Sequence, residues 1–278
     1  MRLIPILVAL LLTIAPAGAE TLLEGRAEQG GLMLGRATAG ARVELDGRAV
    51  PVDDAGRFLI GFGRNAGPVA RLDILGPDGE SERRVIAVAA RAWPVQRIEG
   101  LAREMVEPDP AGVARIKAEA ERLAALRQKS SPVAGFLGGL TWPAEGLVSG
   151  VFGSQRVYNG QAGAPHSGLD IAAPAGTPAR AAAGGTVVLA DPDLFLTGRT
   201  VMIDHGLGLM SSYAHLSAIA VSAGETVVAG QIIGAIGASG LATGAHLHWG
   251  LSWQDVRLDP KVGFGVLGTM LPDRPVQK

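Results

Sequence analysis

The histidines of this 278-residue chain are confined to one region: His166, His205, His215, His246 and His248, with none in the first half. Two short segments concentrate the chemistry. PHSGLD offers an imidazole and a carboxylate, His166 and Asp170, with three residues between them; AHLHWG offers two imidazoles, His246 and His248, with one between. Two imidazoles and a carboxylate around a borderline-soft divalent ion, with one position left to water, form the donor set of a catalytic zinc centre. Alternation along a strand sends His246 and His248 to one face and Leu247 and Trp249 to the other. His166 and Asp170 share a face if Ser167-Gly168-Leu169 is extended, and Gly168 permits a bend if it is not. His215, within YAHL, adds an imidazole from a separate segment.

Other hydrolytic chemistries lack their residues. There is no HExxH helix, no GxSxG elbow, no phosphate-binding loop and no cysteine. A formal charge of -1 gives no field for nucleic acid or anionic lipid, so neither is expected as a partner.

The elements that must position these groups are mainly strands. Forty glycines and 17 prolines with 4% aromatic residues favour short strands and tight turns. Residues 20–92 read as a small β-sandwich-like domain. Val43 and Leu45 share a face, Asp46-Gly47 turns the chain toward Val50 and Val52, and Asp54-Ala55-Gly56 turns it again before Phe58 and Ile60. Asp53 and Asp54 read as turn residues. Residues 93–139 read as a connector with one helix, capped by Asp109 and begun by Pro110, with Val113, Ile116, Ala120, Leu123 and Leu126 at helical spacing. That stripe is narrow, so the helix is expected to lie on a domain surface. Residues 140–278 read as a second, all-β domain. In it AAAGGTVVLA and VSAGETVVAGQ look alike, suggesting paired hairpins.

Residues 1–19 read as a signal peptide, with Arg2, the apolar segment Leu3 to Ile14, and Ala17-Gly18-Ala19 as the cleavage signal. Export, most simply to a bacterial periplasm with secretion as runner-up, and no stable membrane anchor are therefore expected. His205 is read as hydrogen bonding to backbone or a nearby loop, or else as contacting substrate. Tyr213 is read as either packing or lining a groove.

The second domain resembles the zinc metallopeptidase family of lysostaphin and the LytM-type cell-wall endopeptidases, known as M23. The likeness covers residues 142–260: VFGSQR before the first ligand segment, DIAAPAGTPARAAAGGTVV after it, VMIDHGLGLMSSYAHL in the middle and GASGLATGAHLHW at the end. Ser212 and Trp249 depart from residues often seen in the family, and Tyr158 to Pro165 is an unusual stretch. The resemblance implies a curved antiparallel β-sheet domain binding one Zn2+ through His166, Asp170 and His248. It implies that His215 and His246 handle protons, and that the substrate is a peptide bond in peptidoglycan stems or cross-links. The alternatives are a non-enzymatic wall-binding module or activator of another hydrolase, and an amidase acting at the sugar–peptide junction. Oligomeric state is not legible.

Overall fold

The computed structural model describes residues 21–100, 107–131 and 134–268; the expected signal peptide lies outside them. The first domain contains β1 (Leu22–Gly25), β2 (Leu32–Arg36), β3 (Arg42–Leu45), β4 (Arg48–Val50), β5 (Arg57–Gly61), β6 (Val69–Leu75) and β7 (Ser81–Ala87). These form two sheets, β1-β2-β5 and β4-β3-β6-β7. Alternation along β3 and β6 buries Val43, Leu45, Ala70, Leu72 and Ile74, with Val43 opposite both Val50 and Ile74. Asp46 and Gly47 both take left-handed φ, 51° and 78°, as a tight hairpin between β3 and β4 requires. Asp53 accepts from the Ala55 and Arg57 amides and is a turn residue.

The connector holds more than a helix. It contributes β8 (Val95–Ile98) and then α1 (Pro110–Arg127). Asp109 caps α1 by accepting from the Gly112 amide, and Pro110 occupies its first turn. Only Gly112 of α1 is buried, so the helix is a surface strap. Arg122 pairs with Asp191, Glu119 accepts from the Phe195 amide, and Ser130 accepts from the Gly208 amide.

The second domain contains β9 (Leu147–Gly150), β10 (Gln155–Tyr158), β11 (Gln161–Pro165), β12 (Leu169–Ala172), β13 (Pro178–Arg180), β14 (Gly185–Leu194), β15 (Gly198–Gly206), β16 (Leu209–Ile219), β17 (Thr226–Val227), β18 (Ile232–Ile236), β19 (His246–Trp253) and β20 (Val256–Leu258). A short α2 (Pro260–Leu267) follows, capped by Asp259. The main sheet runs β17-β14-β15-β16-β19-β12-β9, with β13 and β18 attached beside β16 and β20 beside β19. The two look-alike segments pair directly: Gly185 and Thr186 lie opposite Val227 and Thr226.

β10 and β11 form a separate hairpin whose turn, Asn159-Gly160, has φ 46° and 82°. β8 adds to it in parallel, so a strand from the connector becomes part of the wall beside the second domain.

One continuous core joins the two domains. Leu251, Trp253 and Leu258 belong to the same buried cluster as Leu32, Phe58 and Ile60. Gly61 marks the contact, because a Cβ there would lie 2.8 Å from a Leu258 methyl. Each large apolar side chain buried at such a seam contributes about 1.5–3 kcal/mol. Among the described residues no helix is long and apolar enough to cross a membrane.

Candidate metal centre

β12 and β19 are antiparallel neighbours with Asp170 directly opposite His248. His166 sits just before β12, after the β11 hairpin. The three side chains converge on one point. Asp170 Oδ1 lies 2.9 Å from His166 Nε2 and 2.8 Å from His248 Nδ1, and the two imidazole nitrogens are 3.0 Å apart. Three donors this close and largely buried would hold one zinc ion, a three-ligand set of the kind that leaves a coordination position for water or substrate.

Surrounding groups set which atoms face that point. His166 Nδ1 donates to the Val151 carbonyl at 3.0 Å, leaving Nε2 as the ligand atom. Arg156 pairs with the other carboxylate oxygen, Oδ2, of Asp170. Burial alone would raise the Asp170 pKa. Hydrogen bonds from His166 and His248 outweigh it and hold the carboxyl well below the usual carboxylate range. Burial lowers the pKa of His248, while its contact with Asp170 opposes that shift.

His215 and His246 approach the same point from two other directions. His246 Nδ1 donates to the Gly244 carbonyl at 2.9 Å, and its Nε2 stands 3.9 Å from Asp170 Oδ1. His215 Nδ1 donates to the Ser239 carbonyl at 2.8 Å, leaving its Nε2 free. The His215 ring lies 4.6 Å from that of His246 and 6.1 Å from that of His248. Burial, then the neighbouring His248, brings the His215 pKa down to about 4, so the ring is neutral near pH 7.

Plain alternation does not explain how His215 gets there. It has the parity of Tyr213, whose side chain is fully buried in the core. Between Tyr213 and Leu216, β16 spends two residues, Ala214 and His215, against one on β15. This bulge, with His215 at φ 61°, turns the imidazole to the metal face.

His205 lies elsewhere. It is fully enclosed, with Nδ1 donating to the Gly184 carbonyl at 2.8 Å and Nε2 2.7 Å from Ser211 Oγ. Ser211 in turn shares a 2.9 Å hydrogen bond with the Tyr213 hydroxyl, which accepts from the Ala182 amide. His205 and Tyr213 therefore belong to a buried scaffold network and do not line the groove.

Two contributors were not singled out from sequence. Arg156 lies within VFGSQR, but nothing in that string marks its guanidinium as the partner of Asp170. The Val151 carbonyl is a backbone group with no residue signature.

The first domain reaches this loop. Arg64 Nε donates to the Gly153 carbonyl at 2.7 Å, and the Gly153 amide donates to the His166 carbonyl at 2.8 Å. Trp93 packs edge-on to Phe152 with Arg64 and Arg91 against its ring. A Cβ at Gly153 would lie 2.2 Å from the Trp93 ring, and its φ is 79°.

An antiparallel sheet with a His–Asp–His triangle and two further imidazoles beside it defines a zinc-hydrolase type of centre. The sequence pattern of peptidase family M23 matches residues 164–260. A crystal structure from Pseudomonas aeruginosa assigned to peptidase M23 superposes with a TM-score of 0.68 at 30% identity, covering 87% of this chain and 96% of that one. The chain belongs to peptidase family M23. Among curated relatives, the Vibrio cholerae peptidoglycan DD-endopeptidase ShyA is 44% identical over 88 residues, 32% of this chain and 20% of ShyA. The Neisseria meningitidis DD-carboxypeptidase/endopeptidase Mpg is 44% identical over 84 residues, 30% of this chain and 19% of Mpg. The matches thus span about a fifth of the length of these relatives.

Proposed function

We propose that this chain is a zinc-dependent endopeptidase that hydrolyses peptide bonds in peptidoglycan stems or cross-links. The observation that carries this reading is the complete set of five groups: the His166–Asp170–His248 triangle with the free nitrogens of His215 and His246 beside it. Relatives named for action on peptidoglycan support the substrate class.

A zinc ion held by the triangle supplies Lewis-acid polarisation and makes water acidic enough to attack near neutrality. The protein's own groups do the rest. His215 is neutral and donates through Nδ1 to Ser239, so its Nε2 lone pair is available to take a proton from the attacking water. His246 faces the same point, where it can donate to the developing oxyanion or to the leaving amine. Arg156 keeps Asp170 in place through the oxygen that does not face the triangle.

The signal-like segment and a cell-wall substrate together support export to a bacterial periplasm. The test is mass spectrometry of soluble fragments released from defined cross-linked peptidoglycan. New peptide termini within stems or cross-links support the reading. Release of intact stem peptides by cleavage at the sugar junction would make it an amidase, and no release at all would favour the binding or activator reading.

A further inference from the structure

The face of the main sheet that carries His248 continues away from the metal centre through Gly250 and Ser252. Arg257 on β20 lies directly opposite Ser252, so its side chain emerges on this same face. Its guanidinium folds back over Gly250: Nη1 is 3.8 Å from where a Gly250 Cβ would stand. Gly250 is two residues from His248, about 7 Å along the strand. Arg127, in the last turn of α1, brings a second positive charge to bear on Arg257.

Neither arginine has an ion-pair partner among the described residues. Arg127 Nε is buried without any hydrogen bond. The nearby acid, Asp255, pairs with Arg48 at 2.5 Å, and its charge also favours the cationic form of Arg127. Burial and then the charge of Arg127 bring the Arg257 pKa down to about 9, and burial lowers that of Arg127. Arg257 thus has no counter-charge and Arg127 only a share of one; a buried cation without a partner is costly, and an anion placed beside Arg257 removes that cost.

We propose that Arg257 and Arg127 form a carboxylate-binding subsite of the substrate groove. It recognises a free carboxylate of the wall peptide one or two residues from the bond that is cut. A guanidinium binds a carboxylate through two parallel hydrogen bonds, which gives orientation as well as affinity. Gly250 keeps this stretch of the face low: a Cβ there would lie 2.4 Å from the Ser212 hydroxyl and in ordinary contact with the guanidinium. The substrate identity rests on the peptidoglycan reading above, whereas recognition of a carboxylate rests on the arginines themselves.

The experiment uses the zinc-loaded full chain and two versions of one cross-linked peptide, with its free carboxylates intact or amidated. Binding is measured by calorimetry in the His215→Ala background, and cleavage in the otherwise unaltered chain. The acid peptide is expected to bind about tenfold more tightly than its amide. Arg257→Gln should remove that preference, raising KM for the acid peptide about tenfold while leaving the amide peptide and kcat within about twofold. Because the substitution deletes an unpaired cation, the melting temperature of the ligand-free protein should hold or rise, which separates lost recognition from lost folding. Arg127→Gln should act in the same direction with smaller effect. Equal binding of acid and amide, failure of both to bind, or an equal loss on both in Arg257→Gln would overturn the subsite. Acid-selective binding without cleavage by the unaltered chain would retain the subsite and reject the peptidase reading.

Discussion

Arg64 of the first domain donates to the carbonyl of Gly153, 2.7 Å away, and so holds the loop on which a metal ligand depends. From Gly153 the connection continues to the His166 backbone, and from Val151 to His166 Nδ1. Groups that orient a metal ligand typically change affinity 10–100-fold when lost, and Arg64 acts one contact further out. Arg64→Ala is therefore expected to weaken zinc binding about three- to tenfold. Gly153→Ala should do more, because the new methyl meets Trp93 and φ is left-handed. Competition against a chelator of known affinity measures both. Unchanged zinc affinity in the two variants would show that the first domain does not position His166.

His215 and His246 are expected to act on protons and not to hold the metal. His215→Ala and His246→Ala should keep most of their zinc while losing at least about a hundredfold in kcat, the usual contribution of a positioned proton-transfer group. Elemental analysis and cleavage rate on the same samples decide the matter. Near-normal turnover in both zinc-loaded variants would remove them from the mechanism.

Much of this site is legible in the residues. His246 and His248 follow simple strand alternation, and Asp109-Pro110 announces α1 at its observed start. The Asp259-Pro260 pair carries the same cap signature for α2, but eight residues after a run of strands are easily read as more β-structure. Asn159-Gly160 is a strong hairpin signal inside a stretch that otherwise reads as a loop. The position of His215 is different in kind. Its parity points to the core, and a bulge set by pairing with β15 overrides it, so no local pattern reveals the orientation. Arg156 and β8 depend likewise on contacts between segments distant in sequence.

Burial fixes a pH response in the scaffold. Enclosure lowers the pKa of His205 to about 4 from an ordinary 6.5. The unfolded chain therefore binds more protons between those values, and stability rises with pH across that window. The contribution is full above about pH 6.5 and is lost as pH falls toward 4, of order 3 kcal/mol in total. Urea unfolding at pH 7 and pH 5 should show a fall of about 2 kcal/mol from this group. His205→Gln should be less stable at pH 7 and show a shallower pH slope. An equal slope in the variant would assign the acid sensitivity elsewhere.

The central claim is that one zinc ion in the His166–Asp170–His248 triangle makes this chain a peptidase. The most direct measurement is stepwise return of zinc to chelator-treated protein while cleavage of a cross-linked peptidoglycan peptide is followed. Cleavage should be absent in the metal-free protein and rise linearly to a plateau at one zinc per chain. His248→Ala should bind zinc far more weakly and stay inactive at that ratio. Cleavage that survives chelation, or none from the unaltered chain with its zinc fully restored, would contradict the account.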